Sequence, residues 1–272
     1  MRVELAINPF DADVRDMVAV AQAAEAMGVS AVWVADHFSG AVVNRRWSRD
    51  PFVVLGAIAA RTTSVHLGVL VANMMNRHVA HLASSLNTLQ SVAPDRVRCG
   101  IGSGAAPNSQ FAVEQDMVGT QLGDLASRRT GLVDTIEALR VIWSGGRNHP
   151  AAGVAPTGFR DLEGVVDGAA CPPMIIGAST WGTVELAAQL ADGVFVRDVE
   201  GSIDFLRRLA ERRPDHFDVS VLTWLPDEIG HSEVARWAEL GVEALVFGMS
   251  PPHDPSRLGA RADLLEPGDP RH

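Results

Sequence analysis

The sequence predicts an α/β protein built as a closed (β/α)8 TIM barrel, and three observations carry that prediction. Eight short apolar runs recur along the 272 residues, each followed by a helix or a helix-length segment. The runs are apolar throughout rather than alternating, as expected of strands covered on both faces. Eight repeated units favour closure over an open doubly wound sheet, which stays the alternative because the last three strands are short and weakly marked. On this reading residues 1–272 form one barrel domain, with an irregular excursion over 144–171 and a C-terminal tail over 251–272.

Taken in order, a first strand over 3–7 ends at Asn8-Pro9, and Asp13 is placed to cap a helix that Gly28 stops. A second strand over 31–35 runs into Asp36-His37. After a loop rich in Gly, Asn and Arg, Asp50-Pro51 supplies an N-cap and first-turn pair for a helix through Arg61. The third strand covers 65–71 and its helix 79–91. Pro94-Asp95 then turn the chain into a fourth strand over 96–101. A loop over 102–123 leads to a long helix, Leu125–Trp143, with Leu132, Ile136, Leu139 and Trp143 spaced by three or four.

Residues 144–171, rich in Gly, Pro and Ala and without a period, read as a shortened, partly mobile excursion between that long helix and strand five. Strand five follows at 173–177, then a helix at Trp181–Leu190. Strands at 193–196, 219–223 and 244–248 alternate with helices at 202–212 and 232–240, and a last short helix is expected near 258–265.

The composition, 47% hydrophobic and 21% charged, is that of a soluble globular protein. A net charge of −10 argues against nucleic-acid and anionic-membrane partners. Every basic side chain is Arg, and the absence of Lys excludes Schiff-base and pyridoxal-phosphate chemistry. Cys99 and Cys171 lie in no CxxC pattern, and the histidines form neither HxH nor HExxH, so no metal site is expected. The chain opens on a strand, and no apolar run approaches the ~20 residues of a membrane span, so a cytoplasmic protein is expected.

Parallel barrels carry their chemistry where strands end. After strand two, His37 is either an acid or base near neutral pH or a residue that packs its own loop. Asn73, Asn76, Arg77 and His78 share the loop after strand three, where Asn76 reads as the cap of the next helix. Gly100-Ile101-Gly102-Ser103-Gly104 ends strand four without a Cβ at three positions, which would let a flat ring or phosphate approach. It is not a dinucleotide fingerprint, since Ala105-Ala106-Pro107 follows and no acid ends the next strand. Gly177-Ala178-Ser179-Thr180 opens a helix and reads as a phosphate site or as a plain Ser/Thr cap.

In combination these loops resemble the luciferase-like monooxygenase superfamily, particularly its deazaflavin (coenzyme F-420) dependent oxidoreductases. The blocks that carry the resemblance are AEAMGVSAVWVADHF (24–38), LGVLVANMMNRHVAHLASSLNTLQSVAPDRVRCGIGSG (67–104), LVDTIEALRVIWSG (132–145), PPMIIGASTWGTVELAAQLADGV (172–194) and, more weakly, ARWAELGVEALVFG (235–248). The resemblance implies a barrel, usually dimeric, with the ring of the coenzyme in its mouth. It implies Asp36 and His37 lining the ring, with His37 as the acid or base. Leu70 and Val71 would form a strand-three bulge, often with a cis peptide, against the ring, and Ala72-Asn73 stand where the family has Thr-Asn. Gly102, Ser103 and Gly104 match the glycine loop, and Gly177, Ala178 and Ser179 the phosphate cradle.

The chain departs from that pattern at several points. Sugar-phosphate dehydrogenases of the family carry a Trp and a Glu at positions that fall here near Ala41 and at Ala105, and the usual Pro after the strand-three Asn is Met74. The chain is also short for the family. The resemblance implies hydride transfer between coenzyme F-420 and a small organic substrate by a homodimer, with an FMN-dependent monooxygenase as the alternative. The lost Thr and Glu and the shortened chain leave a third reading, a barrel that binds flavin or deazaflavin without turnover.

Overall fold

Eight strands, β1 (Arg2–Ile7), β2 (Ala31–Val34), β3 (His66–Asn73), β4 (Val97–Gly102), β5 (Met174–Ala178), β6 (Gly193–Arg197), β7 (Asp218–Thr223) and β8 (Ala244–Met249), pair in parallel in sequence order. β8 pairs with β1 from Arg2–Ala244 to Ile7–Met249, which closes the barrel and removes the open-sheet alternative. The structure, a computed structural model, describes residues 1–198, 201–223 and 231–259. Among these no helix is long and apolar enough to cross a membrane, and no group of three His, Cys, Asp or Glu side chains would hold a metal.

The helices are α1 (Val14–Ala26), α2 (Pro51–Ala59), α3 (Val79–Val92), α4 (Val113–Met117), α5 (Leu125–Trp143), α6 (Trp181–Leu190), α7 (Ser202–Ala210), α8 (His231–Glu239) and α9 (Ser256–Gly259). Their caps follow the local chemistry. Asp13 accepts from the Arg15 amide at 2.8 Å, and Asp50 accepts from those of Phe52 and Val53 at 2.9 and 3.0 Å. The cap of α3 is not Asn76 but His78, whose Nδ1 accepts from the Ala80 amide at 3.1 Å. Asn76 is occupied elsewhere, as described below. The expected helix at 258–265 is represented by α9, and its remainder lies outside the described residues.

The barrel interior is filled by large rings set against glycines. Trp33 and Phe195 meet edge to face at 4.7 Å among Ala6, Ala31, Ile175 and Val246. Gly68 makes this possible, since a Cβ there would lie 2.3 Å from the Trp33 ring. The amino-terminal end of the barrel is closed by charge. Buried Glu4 accepts from Trp33 Nε1 at 2.8 Å and lies 3.5 Å from Arg98, while Arg2 reaches Asp218 at 2.6 Å. Burial pushes the Glu4 carboxyl up, and the arginines oppose that rise.

Residues 144–171 are irregular, with one bridge between His149 and Phe159, but they are tied down. Asp134, buried on α5, accepts from His149 Nε2 at 2.8 Å, from the Ala152 amide at 3.0 Å and from the Thr157 hydroxyl. The Val79 amide donates to the Pro156 carbonyl at 3.0 Å, so the excursion also caps the start of α3.

At the amino-terminal end, Glu25 fixes the turn before β3 by accepting from the Thr63, Ser64 and Val65 amides at 2.8, 2.6 and 3.1 Å. Burial alone would raise its carboxyl, but these donors hold it down at about 2, against 4.5 for a free glutamate. A depressed carboxylate contributes stability above its unfolded value and loses it as the pH falls toward the folded one. Glu25→Gln should therefore lower the melting temperature at pH 7, with the difference from the unmodified protein shrinking between pH 4.5 and about 2 in a calorimetric pH series.

Candidate active site

The loops after β2, β3, β4 and β5 leave the carboxyl ends of four adjacent strands, so they share one mouth. Asp36 joins the first two. Its carboxylate, fully buried, accepts from Arg77 Nη1 and Nη2 at 2.6 and 2.7 Å and from the Asn73 amide at 2.8 Å. Burial would lower the Arg77 guanidinium, but the Asp36 carboxylate more than offsets it and the net shift is upward. The Arg77 guanidinium also stands 4.9 Å over the Phe52 ring.

His37, one residue on, is oriented by a group the sequence reading missed. Its Nδ1 lies 2.8 Å from Oε2 of Glu114, and Oε1 of Glu114 accepts from the Ser39 amide at 2.7 Å. Glu114 is fully buried, and His37 sits between the Phe10 and Phe111 rings at 5.4 and 5.5 Å. Both Glu114 and Phe111 lie in the stretch read as a plain loop, which contains a turn of 3-10 helix at Gln110–Ala112 and then α4. A five-residue helix is too short for apolar periodicity to reveal, and an acidic pair in a loop carries no signal of its own. Next to it, Gln115 donates to Asn76 Oδ1 at 2.8 Å, while Asn76 Nδ2 points to the Asp36 carbonyl at 3.4 Å, which is why Asn76 is not a helix cap. Ala105, the position that the resemblance matches to a glutamate of sugar-phosphate dehydrogenases, is buried and apolar.

The β3 bulge lies at Leu70-Val71, whose peptide is cis, and the pairing of β3 with β4 shifts between Val69 and Ala72. This bulge accounts for two of the glycines. A Cβ on Gly102 would lie 2.5 Å from Val71 Cγ2, and one on Gly177 would lie 2.9 Å from Val71 Cγ1. At both positions the missing Cβ makes room for Val71. Gly104 has a φ of +73°, favoured by glycine, and a Cβ there would lie 3.1 Å from Asn73 Oδ1. That oxygen accepts from the Met75 amide at 2.9 Å, and Nδ2 of Asn73 makes no hydrogen bond among the described residues.

The cradle after β5 acquires two cations. Thr180 stands at the N-cap of α6 but makes no capping hydrogen bond. Its hydroxyl instead accepts from Arg129 Nη2 at 2.8 Å and meets Thr183 Oγ1 at 3.0 Å. Gly182 leaves space for this, since a Cβ would lie 2.6 Å from Arg129 Nη2. Arg128, buried on the same turn of α5, donates to the Gly104 carbonyl at 3.2 Å, and its Nε has no hydrogen-bond partner among the described residues. Burial, and then Arg129, push the Arg128 guanidinium below its usual value. Neither arginine makes an ion pair among the described residues. Uncapped amides, exposed Ser179 and two unpaired guanidiniums together suit an anion.

The sequence profile of the luciferase-like monooxygenase family matches residues 3–270, and the chain belongs to that family. It is 31% identical over 182 residues to the F420-dependent hydroxymycolic acid dehydrogenase of Mycobacterium tuberculosis, a match spanning 65% of this chain and 47% of that protein. It is 26% identical over 241 residues to the 5,10-methylenetetrahydromethanopterin reductase of Methanolobus tindarius, over 84% of this chain and 66% of that one. The chain thus spans from about half to two thirds of the length of these relatives. Its fold is also that of an F420-dependent secondary alcohol dehydrogenase solved with an F420-acetone adduct, with a TM-score of 0.73 at 16% identity over 92% of this chain and 94% of that one.

The Asp36–Arg77 pair should dominate the stability of the mouth. Replacing Arg77 by Met would leave a buried carboxylate without its cation, a loss of about 3–5 kcal/mol for such pairs. Urea titration of Arg77→Met should show a loss of that size, and a change below about 1 kcal/mol would mean that the pair behaves as an exposed one.

Proposed function

We propose that this protein is an oxidoreductase that uses coenzyme F-420 to carry out hydride transfer on an organic substrate at the barrel mouth. The observation that carries the proposal is the His37–Glu114 pair, set between two aromatic rings beside the β3 bulge. Support comes from relatives named for the same coenzyme, among them the hydroxymycolic acid dehydrogenase and a glucose-6-phosphate dehydrogenase of Tsukamurella paurometabola.

The residues present fit such a coenzyme. Arg128 and Arg129, with the α6 amides and Gly177, Ala178 and Ser179, would hold its phosphate. Asn73 has an amide donor with no partner among the described residues that would serve the ring, and half-buried Leu70, Val71, Ser103 and Gly104 would flank it; Asp36, Ala72 and Gly102, expected at the ring, are buried behind them and act by holding Arg77, the strand and Val71 in place. When bound, the coenzyme supplies a ring carbon that accepts or gives a hydride. The chain's own part is to place the substrate, exclude water and move a proton.

His37 does the last. With Glu114 accepting from Nδ1–H, Nε2 carries a lone pair and takes the proton of a substrate hydroxyl, or returns it in the reverse direction. Glu114 acts through His37 by fixing its tautomer and ring plane, and the Ser39 amide in turn fixes Glu114. The same relation makes the non-catalytic reading less economical, because a carrier has no use for an oriented imidazole.

Two variants should separate these roles. With F-420 as coenzyme, His37→Ala should lower kcat by about 10²–10⁴-fold while the coenzyme Kd from fluorescence titration stays unchanged. The double variant Arg128→Ala/Arg129→Ala should do the opposite, weakening coenzyme binding with a small effect on kcat at saturation. Tight binding of FMN in preference to F-420 would favour the monooxygenase reading, and unchanged turnover in His37→Ala would remove His37 from the mechanism.

A further inference from the structure

The loop from Asn73 to Val79 presents Asn73 at the mouth, and two sets of partners hold it. One is Asp36, which accepts from the Asn73 amide and from Arg77. The other is the irregular excursion after α5. The Val79 amide donates to the Pro156 carbonyl at 3.0 Å. His78, whose Nδ1 accepts from the Ala80 amide, donates from Nε2 to the Gly158 carbonyl at 3.0 Å. Met74, 2% exposed, is enclosed by the same segment. A Cβ on Gly131 of α5 would lie 3.0 Å from Met74 Cε, 3.4 Å from Val154 Cγ2 and 3.5 Å from Ala155 Cβ, so these three side chains meet over one bare turn of helix. Gly153 lies against that turn, since a Cβ there would come within 2.9 Å of Gly131 Cα.

From Met74 the contacts run on toward the mouth. The Met75 amide donates to Asn73 Oδ1 at 2.9 Å, and Met75 Cγ lies 3.0 Å from the point where a Cβ on Gly104 would stand. Methionine side chains are unbranched and turn freely, so the shape of this loop has to come from what surrounds it. The excursion is irregular apart from one bridge, and it too needs an anchor. That anchor is Asp134, 2% exposed, on which the His149, Ala152 and Thr157 donors converge. Burial alone would raise the Asp134 carboxyl, and these donors hold it below its ordinary value. All three partners donate, which suits a carboxylate and not an amide.

We infer that Asp134 is a positioning residue for the coenzyme site: through residues 152–158 and Met74 it fixes the loop that presents Asn73. This rests on the reading of the mouth as a coenzyme site. The coupling is reciprocal, so a coenzyme held at Asn73 tightens the excursion by the same factor.

The test compares Asp134→Asn and Thr157→Val, each of which spoils the anchor at nearly constant volume, with Thr157→Ser, which keeps the hydroxyl. Two quantities are read on the same preparations. One is deuterium uptake of the coenzyme-free protein over residues 70–77, a stretch with no hydrogen bond to the excursion among the described residues. The other is the F-420 Kd from fluorescence titration. Both anchor variants should speed uptake over 70–77 and weaken the F-420 Kd by about tenfold, within the usual range for coupled sites, while uptake in β1 and β8 holds. Thr157→Ser should behave as the unmodified protein. Glu25→Gln, which loosens the amino-terminal end of the barrel, should leave the F-420 Kd unchanged. Should Asp134→Asn fail to fold, Thr157→Val decides alone. Uptake that rises over 144–158 but not over 70–77, or an F-420 Kd that holds, would overturn the inference. So would an equal loss of affinity in Glu25→Gln, because the effect would then be one of overall stability. Failure of the unmodified protein to bind F-420 would overturn the coenzyme reading, and uptake over 70–77 would still decide whether Asp134 shapes the loop.

Discussion

A single buried carboxylate holds the mouth of this barrel together. Asp36 is removed from water, which is tolerable only because both guanidinium nitrogens of Arg77 and the Asn73 amide satisfy it. The end of β2 and the loop after β3 therefore behave as one body. The third loop is locked to them through Gln115 and Asn76, and the same turn of α4 delivers Glu114 to His37. No element of this set is positioned by its own strand alone. The imidazole is held because three consecutive connections hold one another.

The other half of the mouth is built by shape rather than charge pairing. Val71 projects from the β3 bulge into space left by Gly102 and Gly177, so β3, β4 and β5 close around one side chain. Beyond it, Arg128 and Arg129 stand unpaired among the described residues in a chain whose net charge is −10. Two adjacent guanidiniums repel each other, Asp124 offsets only part of the cost for Arg128, and holding them together with no ion pair among the described residues makes sense where an anion is to be bound. The mouth is thus divided, with the His37–Glu114 pair on the side of β2 and β4 and the two arginines on the side of β4 and β5; on the proposed reading the first handles a proton and the second holds an anion.

The strands and long helices were legible because their signals are local. α5 and α6 fall on the residues that their periodicity and flanking turns indicate, and the Asp13 and Asp50 caps follow from side-chain chemistry alone. The candidate site was legible only in part. Asp36 and His37 stand out as polar residues ending an apolar strand, but their partners come from contacts across more than 35 positions of sequence. The cap assigned to Asn76 was displaced by tertiary contacts, since a side chain engaged by Gln115 is not free for a helix end. The glycines of the β4 loop invited a ligand reading, while at Gly102 the space belongs to Val71, which no one-dimensional pattern reveals.

The central claim is that Glu114 holds the Nδ1 proton of His37 and leaves Nε2 open to the substrate. ¹⁵N NMR of the protein labelled at histidine, with the His37 signals assigned by their loss in a His37→Gln variant, reads this tautomer directly. At pH 8 the account predicts a protonated Nδ1 and a bare Nε2, with this preference lost when Glu114 is replaced by Ala. A proton on Nε2 in the unmodified protein, or a tautomer indifferent to Glu114, would contradict it.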